Sequence, residues 1–141
     1  MILSKHLRIF SLCTLITVFS VACNDDDEPV VDSTAPVISI ISPENGAELA
    51  SGTDVTINVT IEEANELQEV IVTGTLATPF GPFQESTTIE KDELPAKSGN
   101  IYAVNQQYTI PSLASGNVTI KIVARDEAGN EGEETATYTI R

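Results

Sequence analysis

The stretch "TDVTINVTI", residues 53–61, decides the fold. Val55, Ile57, Val59 and Ile61 alternate with Thr56, Asn58 and Thr60, so apolar side chains recur at every second residue. A period of two lays them on one face of an extended strand and the polar side chains on the other; a helix needs apolar positions three and four apart. Between 55 and 61 every residue except Asn58 is β-branched, which stiffens the side chains and suits a pleated, half-buried surface.

The same pattern recurs outward from this segment. "NVTIKIVAR" (117–125) places Val118, Ile120, Ile122 and Ala124 on one face, and "TATYTIR" (135–141) does so with Ala136, Tyr138 and Ile140. Further strands are expected at 37–41, 67–74, 83–90 and 101–110, separated by the turn clusters "SPENG", "TPFGP", "KSGN", "SLASG" and "DEAGN". A short helical turn is expected near "KDELPA", 91–96. Seven short strands over residues 36–141 predict an all-β, seven-stranded immunoglobulin-like β-sandwich.

Two blocks, "DSTAPVISIISPENGAELASGTDVTI" (32–57) and "GNVTIKIVARDEAGNEGEETATYTI" (116–140), resemble bacterial Ig-like, cadherin-like domains of surface lipoproteins and adhesins. The resemblance implies the sandwich fold and says little of function. The middle, residues 76–100, matches no such pattern, and the disulfide and core tryptophan of antibody domains are missing.

The first 22 residues have the layout of a secretory signal: Lys5, His6 and Arg8, then the 14-residue apolar run "IFSLCTLITVFSVA", then Ala22 as the small residue before the cut. A helix spanning a membrane takes about 20 apolar residues, so this run is too short. "SVAC", ending at Cys23, resembles a bacterial lipobox, although Ser20 stands where leucine is usual. The resemblance implies an acylated Cys23 as the mature N-terminus and the membrane as a partner through that lipid. "CNDDDE" resembles the export signal of Bacteroidota lipoproteins, which assigns Asp25, Asp26, Asp27 and Glu28 to routing toward the outer face of the outer membrane. Residues 23–35 are then an acidic, disordered tether. Asp32-Ser33-Thr34 resembles the short O-glycosylation sequon of the same bacteria, with Ser33 as acceptor.

Removal of the signal leaves 141 − 22 = 119 residues, in which five basic side chains face 21 acidic ones, a net charge of 5 − 21 = −16. Such a chain repels nucleic acid and attracts divalent cations or basic partners. Both Cys13 and His6 leave with the signal, so the mature chain has no imidazole base, no thiolate and no N/S zinc site. It is expected not to be an enzyme. The expected role is a cell-surface binding or adhesion module for a protein or glycan ligand. The alternative is a structural spacer or accessory subunit of a surface complex such as a glycan-uptake system.

Two candidate sites follow. In a seven-stranded sandwich the N-terminal entry, the loop between the second and third strands and the loop between the sixth and seventh share one end. They bring Asp32, then Glu62, Glu63, Asn65 and Glu66, then Asp126, Glu127 and Asn130. Hard carboxylate oxygens suit Ca²⁺, and the metal set expected is Asp32, Glu62, Glu63 and Asp126. "ARD" is similar to the alanine–any–aspartate motif of cadherins, which implies a ligand role for Asp126. The simpler role for Asp126 and Asn130 is to shape a hairpin turn, with Gly129 supplying positive φ. The second site is "TPFGPF" (78–83), whose prolines and glycine stiffen a loop carrying Phe80 and Phe83 as ligand contacts, unless the two rings close the core instead.

Overall fold

The structure, a computed structural model, describes residues 31–141, and these form one compact unit from Val31 to Arg141. The signal segment, Cys23, Asp25, Asp26, Asp27 and Glu28 lie outside the described residues. Eight strands follow in order: β1 (Val37–Ser42), β2 (Glu48–Leu49), β3 (Asp54–Glu62), β4 (Leu67–Thr78), β5 (Gly81–Glu90), β6 (Ile101–Thr109), β7 (Gly116–Asp126) and β8 (Glu131–Ile140). A single 3₁₀ turn, Lys91–Glu93, falls within the "KDELPA" segment.

The strands build two sheets, β1-β3-β6 and β2-β8-β7-β4-β5. Every pair is antiparallel except β2 with β8. The sheets face one another as the immunoglobulin-like sandwich that the alternation predicts. Ile57, Val59 and Ile61 of β3 with Tyr102 and Val104 of β6 form one wall of the core. Val70 and Val72 of β4, Ile120, Ile122 and Ala124 of β7, and Ala136 and Tyr138 of β8 form the other. Each large side chain buried here contributes about 1.5–3 kcal/mol, and no disulfide among the described residues adds to it.

The expected seven strands are all present, and β2 is an eighth. After Ser42 the chain leaves the first sheet and runs beside the end of β8, where the Gly46 N–H donates to Thr137 O (2.8 Å) and the Thr139 N–H to Ala47 O (3.1 Å). Two residues are too few to show a period, so neighbours rather than pattern define this strand. The segment 76–100 is also more regular than its sequence suggests. β4 and β5 pair from Glu69↔Glu90 to Thr78↔Gly81, a hairpin with a tight tip. β5 is an outer strand with little core to cover, so its apolar positions do not alternate.

One contact sets the entry of the chain. A Cβ on Gly132 would lie 1.9 Å from the carbonyl oxygen of Pro36, so only glycine admits this crossing. The crossing brings Asp32 beside the β7–β8 turn, where Asn130 Nδ2 donates to Asp32 O (3.2 Å). The compact unit, Val31–Arg141, includes this entry segment ahead of Pro36, where the two-residue period begins.

Candidate metal centre at the acidic pole

β3 alternates to its end, so Ile61 points inward and Glu62 outward, and the next residue, Glu63, turns inward again. Glu63 is 3 % exposed; its own N–H donates to Asn100 O (2.8 Å), which seats the turn. On β7 the inward series Ile120, Ile122, Ala124 continues to Asp126, which is 0 % exposed. The same alternation that builds the core thus delivers two carboxylates to its edge. Asp32, on the entry segment, is the third. One carboxylate oxygen from each of Asp32, Glu63 and Asp126 lies within 4.8 Å of the other two.

Hydrogen bonds hold the group in place. Asp126 Oδ1 accepts from the Asn130 N–H and its Oδ2 from Asn130 Nδ2, both at 2.8 Å, and Gly129 takes φ +90° within this turn. The turn-shaping role of Asp126 and Asn130 is therefore present. Asp32 Oδ1 accepts from the Thr34 N–H (3.0 Å) and Oδ2 from Asn65 Nδ2 (2.7 Å). The Thr34 N–H first, then the Asn65 amide, hold the Asp32 carboxyl below its ordinary range. Glu63 Oε1 accepts from the Asn65 N–H (2.8 Å). Its Oε2 is buried and has no hydrogen-bond partner among the described residues. A buried acceptor left unpaired is costly, and two unit charges 4.8 Å apart would repel by about 3.5 kcal/mol at an effective dielectric of about 20. Three hard-oxygen donors thus converge at this pole.

The other acidic residues of this pole are placed differently. Of the expected four residues, Glu62 is exposed on the outer side of β3, and the strand's own alternation sets it apart from the other three. Glu66 Oε2 accepts from the Tyr102 hydroxyl (2.9 Å), and Lys97 Nζ approaches Glu66 Oε1 at 3.9 Å. Lys97 also donates to the carbonyls of Ala64 (2.8 Å) and Asn65 (2.6 Å). Glu127 is paired with Lys91. Sequence reasoning missed Lys97 and Tyr102 because their roles depend on the β5–β6 connection folding back over the β3–β4 turn, which no local pattern records.

The "TPFGPF" loop lies at the opposite pole, at the far end of β4. Phe80 is fully exposed and Phe83 largely so, and neither closes the core. Thr78 Oγ1 accepts from the Phe80 N–H (3.2 Å) and donates to Gly81 O (2.6 Å), fixing the tip. Ser33 is exposed on the entry segment.

Comparison with known proteins adds a family and little chemistry. The chain is 28 % identical over 121 residues to halomucin of Haloquadratum walsbyi, covering 86 % of this chain. It spans about 1 % of the length of that curated relative. Among solved structures, a Niemann-Pick type C2 protein from Japanese carpenter ant aligns with 77 % of this chain and 90 % of its own, at TM-score 0.48 and 9 % identity. Murine CRIg aligns with 77 % of this chain and 98 % of its own, at TM-score 0.39 and 13 % identity. Residues 21–141, which include the whole sandwich and its acidic pole, match one family along their length, and the chain belongs to it: the domain of unknown function DUF4625.

Proposed function

We propose that the chain is a lipid-anchored, surface-displayed binding module whose tether-side pole takes up Ca²⁺. One observation carries the calcium reading: three carboxylates meet within 4.8 Å, and one of them keeps a buried, unpartnered oxygen. All the donors are hard oxygens, which suit Ca²⁺, and the demand of Mg²⁺ for near-ideal octahedral geometry disfavours it in a site assembled from three separate segments. Asp32, Glu63 and Asp126 would hold the ion. Bound there, it ties the segment leading from Cys23 to the β3–β4 and β7–β8 turns. The module is non-catalytic in this reading, since no imidazole or thiol follows Cys23. Support for the anchor and for outer-membrane display comes from the lipobox-like "SVAC" and the acidic run after it.

The test is a thermal melt of the whole chain in EDTA, in Mg²⁺ and in millimolar Ca²⁺. A ligand that binds only the native state at 100 times its Kd adds about 2.7 kcal/mol, which raises Tm by several degrees. A rise with Ca²⁺ alone is expected. Equal curves in all three buffers would refute the calcium site. Radiolabelled palmitate incorporation, expected to vanish in Cys23→Ala, tests the anchor separately.

A further inference from the structure

The opposite pole carries a feature of a different kind. Between the sheets, where the main core gives way to a second cluster of Ile110, Ala114 and Ile140, lies a mostly apolar cleft of about 120 Å³. One lining residue stands out. Positions 70, 72, 74 and 76 of β4 share the inward face, and position 74 is glycine where Val70 and Val72 bring branched side chains. Glycine inside a strand weakens it and packs nothing, so its presence there calls for a reason. Space alone does not require it: a Cβ at position 74 would meet only Ile120 Cδ1, at an ordinary 3.5 Å.

The exposed lining residues Phe83 and Glu85 on β5 and Thr109 on β6 put the mouth on the flank where these two outer strands face each other. Tyr108 and Glu85 bring polar groups to the lining. The Tyr108 hydroxyl is buried and without a hydrogen-bond partner among the described residues; the Thr87 hydroxyl lies nearby outside hydrogen-bond geometry. Burial first, and the Glu85 carboxylate to a smaller degree, raise the Tyr108 phenol, so it remains protonated. Glu85 also places a negative charge beside whatever enters.

We propose that this cleft binds a small amphiphile, with a ring-sized apolar body over Gly74 and a hydroxyl or amine head at Tyr108 and Glu85. The volume suits such a body, since a cavity of about 150 Å³ lined by apolar side chains takes up benzene. A hydroxyl accepts the orphaned hydrogen of Tyr108; an ammonium donates to the tyrosine oxygen and meets Glu85. A carboxylate head is repelled.

The test uses three probes with one body and different heads: 2-phenylethanol, 2-phenylethylamine and phenylacetate, each titrated into the purified whole chain by ligand-observed NMR. The alcohol and the amine are expected to bind and phenylacetate to bind at least about tenfold more weakly. Gly74→Val is expected to abolish binding while its Tm is equal to or above that of the parent. Gly74→Ala, which the space at position 74 admits, weakens binding and covers the case in which valine misfolds. Tyr108→Phe costs about fivefold for the alcohol, the worth of one hydrogen bond. Glu85→Gln removes the preference against phenylacetate. The proposal is overturned if none of the probes binds, if phenylacetate binds as well as the alcohol, or if folded Gly74 variants bind like the parent.

Discussion

Replacing Glu63 by glutamine should change the sign of its effect with the buffer. In EDTA the Glu63 and Asp126 carboxyl groups lie buried within 4.8 Å of one another with no cation between them, and two unit charges at that distance would repel by about 3.5 kcal/mol at an effective dielectric of about 20. Glutamine removes that charge and retains an oxygen to accept the Asn65 N–H now bound by Glu63 Oε1. Its Nε2 replaces the unpartnered Oε2 and gains acceptors in the neighbouring carboxylates. Part of the repulsion is already relieved by relaxation and water, so a gain of about 1–3 kcal/mol is expected. For a domain of this size that is roughly 4–12 °C in Tm. In saturating Ca²⁺ the order reverses, because the parent gains the binding free energy and Glu63→Gln has lost an anionic ligand. Differential scanning calorimetry of both chains in both buffers gives the four values needed. A variant that melts below the parent in EDTA would refute the electrostatic account. A variant with the full calcium response would remove Glu63 from the site.

Three further outcomes follow from particular contacts. Gly132→Ala forces a methyl to 1.9 Å from Pro36 O, and should lower the urea midpoint by the equivalent of about 1–3 kcal/mol or more; a neutral result would mean the entry segment shifts freely. Tyr102, Tyr108 and Tyr138 all have phenols raised by burial, so the stability linked to them is complete below pH 10 and is lost as pH rises through their folded values. Alkaline unfolding monitored at the phenolate absorbance should therefore begin above pH 10 and coincide with loss of sheet signal. Phe80→Ala should leave stability within about 0.5 kcal/mol, since the ring is fully exposed; a larger loss in a chemical melt would show that the ring packs.

Much of the fold was legible because a two-residue period survives in every long strand that faces the core. Ile57, Val59 and Ile61, and Ile120, Ile122 and Ala124, are buried in the positions their alternation assigns. Carried past the apolar run, the same period separates Glu62 from Glu63, a distinction that a count of loop carboxylates overlooks. What could not be read had no local cause. β2 is defined by its neighbour, β5 has little core to impose a pattern, and Lys97 reaches carbonyls more than 30 residues away in sequence. The cleft was hidden for another reason: Gly74 lines it by lacking a side chain, and an absence leaves no motif.

The short parallel pair has a mechanical consequence. Gly46, Ser51, Thr139 and Arg141 each donate a backbone N–H across the seam between 46–51 and the end of β8. Asp32 lies at one pole, and Arg141 follows β8 at the other. A pull between these residues runs nearly along the strands, so the four bonds bear the load together in shear instead of opening one after another like a zip. Rupture then needs their near-simultaneous loss, and resistance to force is governed by the unfolding rate and not by equilibrium stability. An ion binding Asp32 to Glu63 and Asp126 would fasten the other end of the same load path.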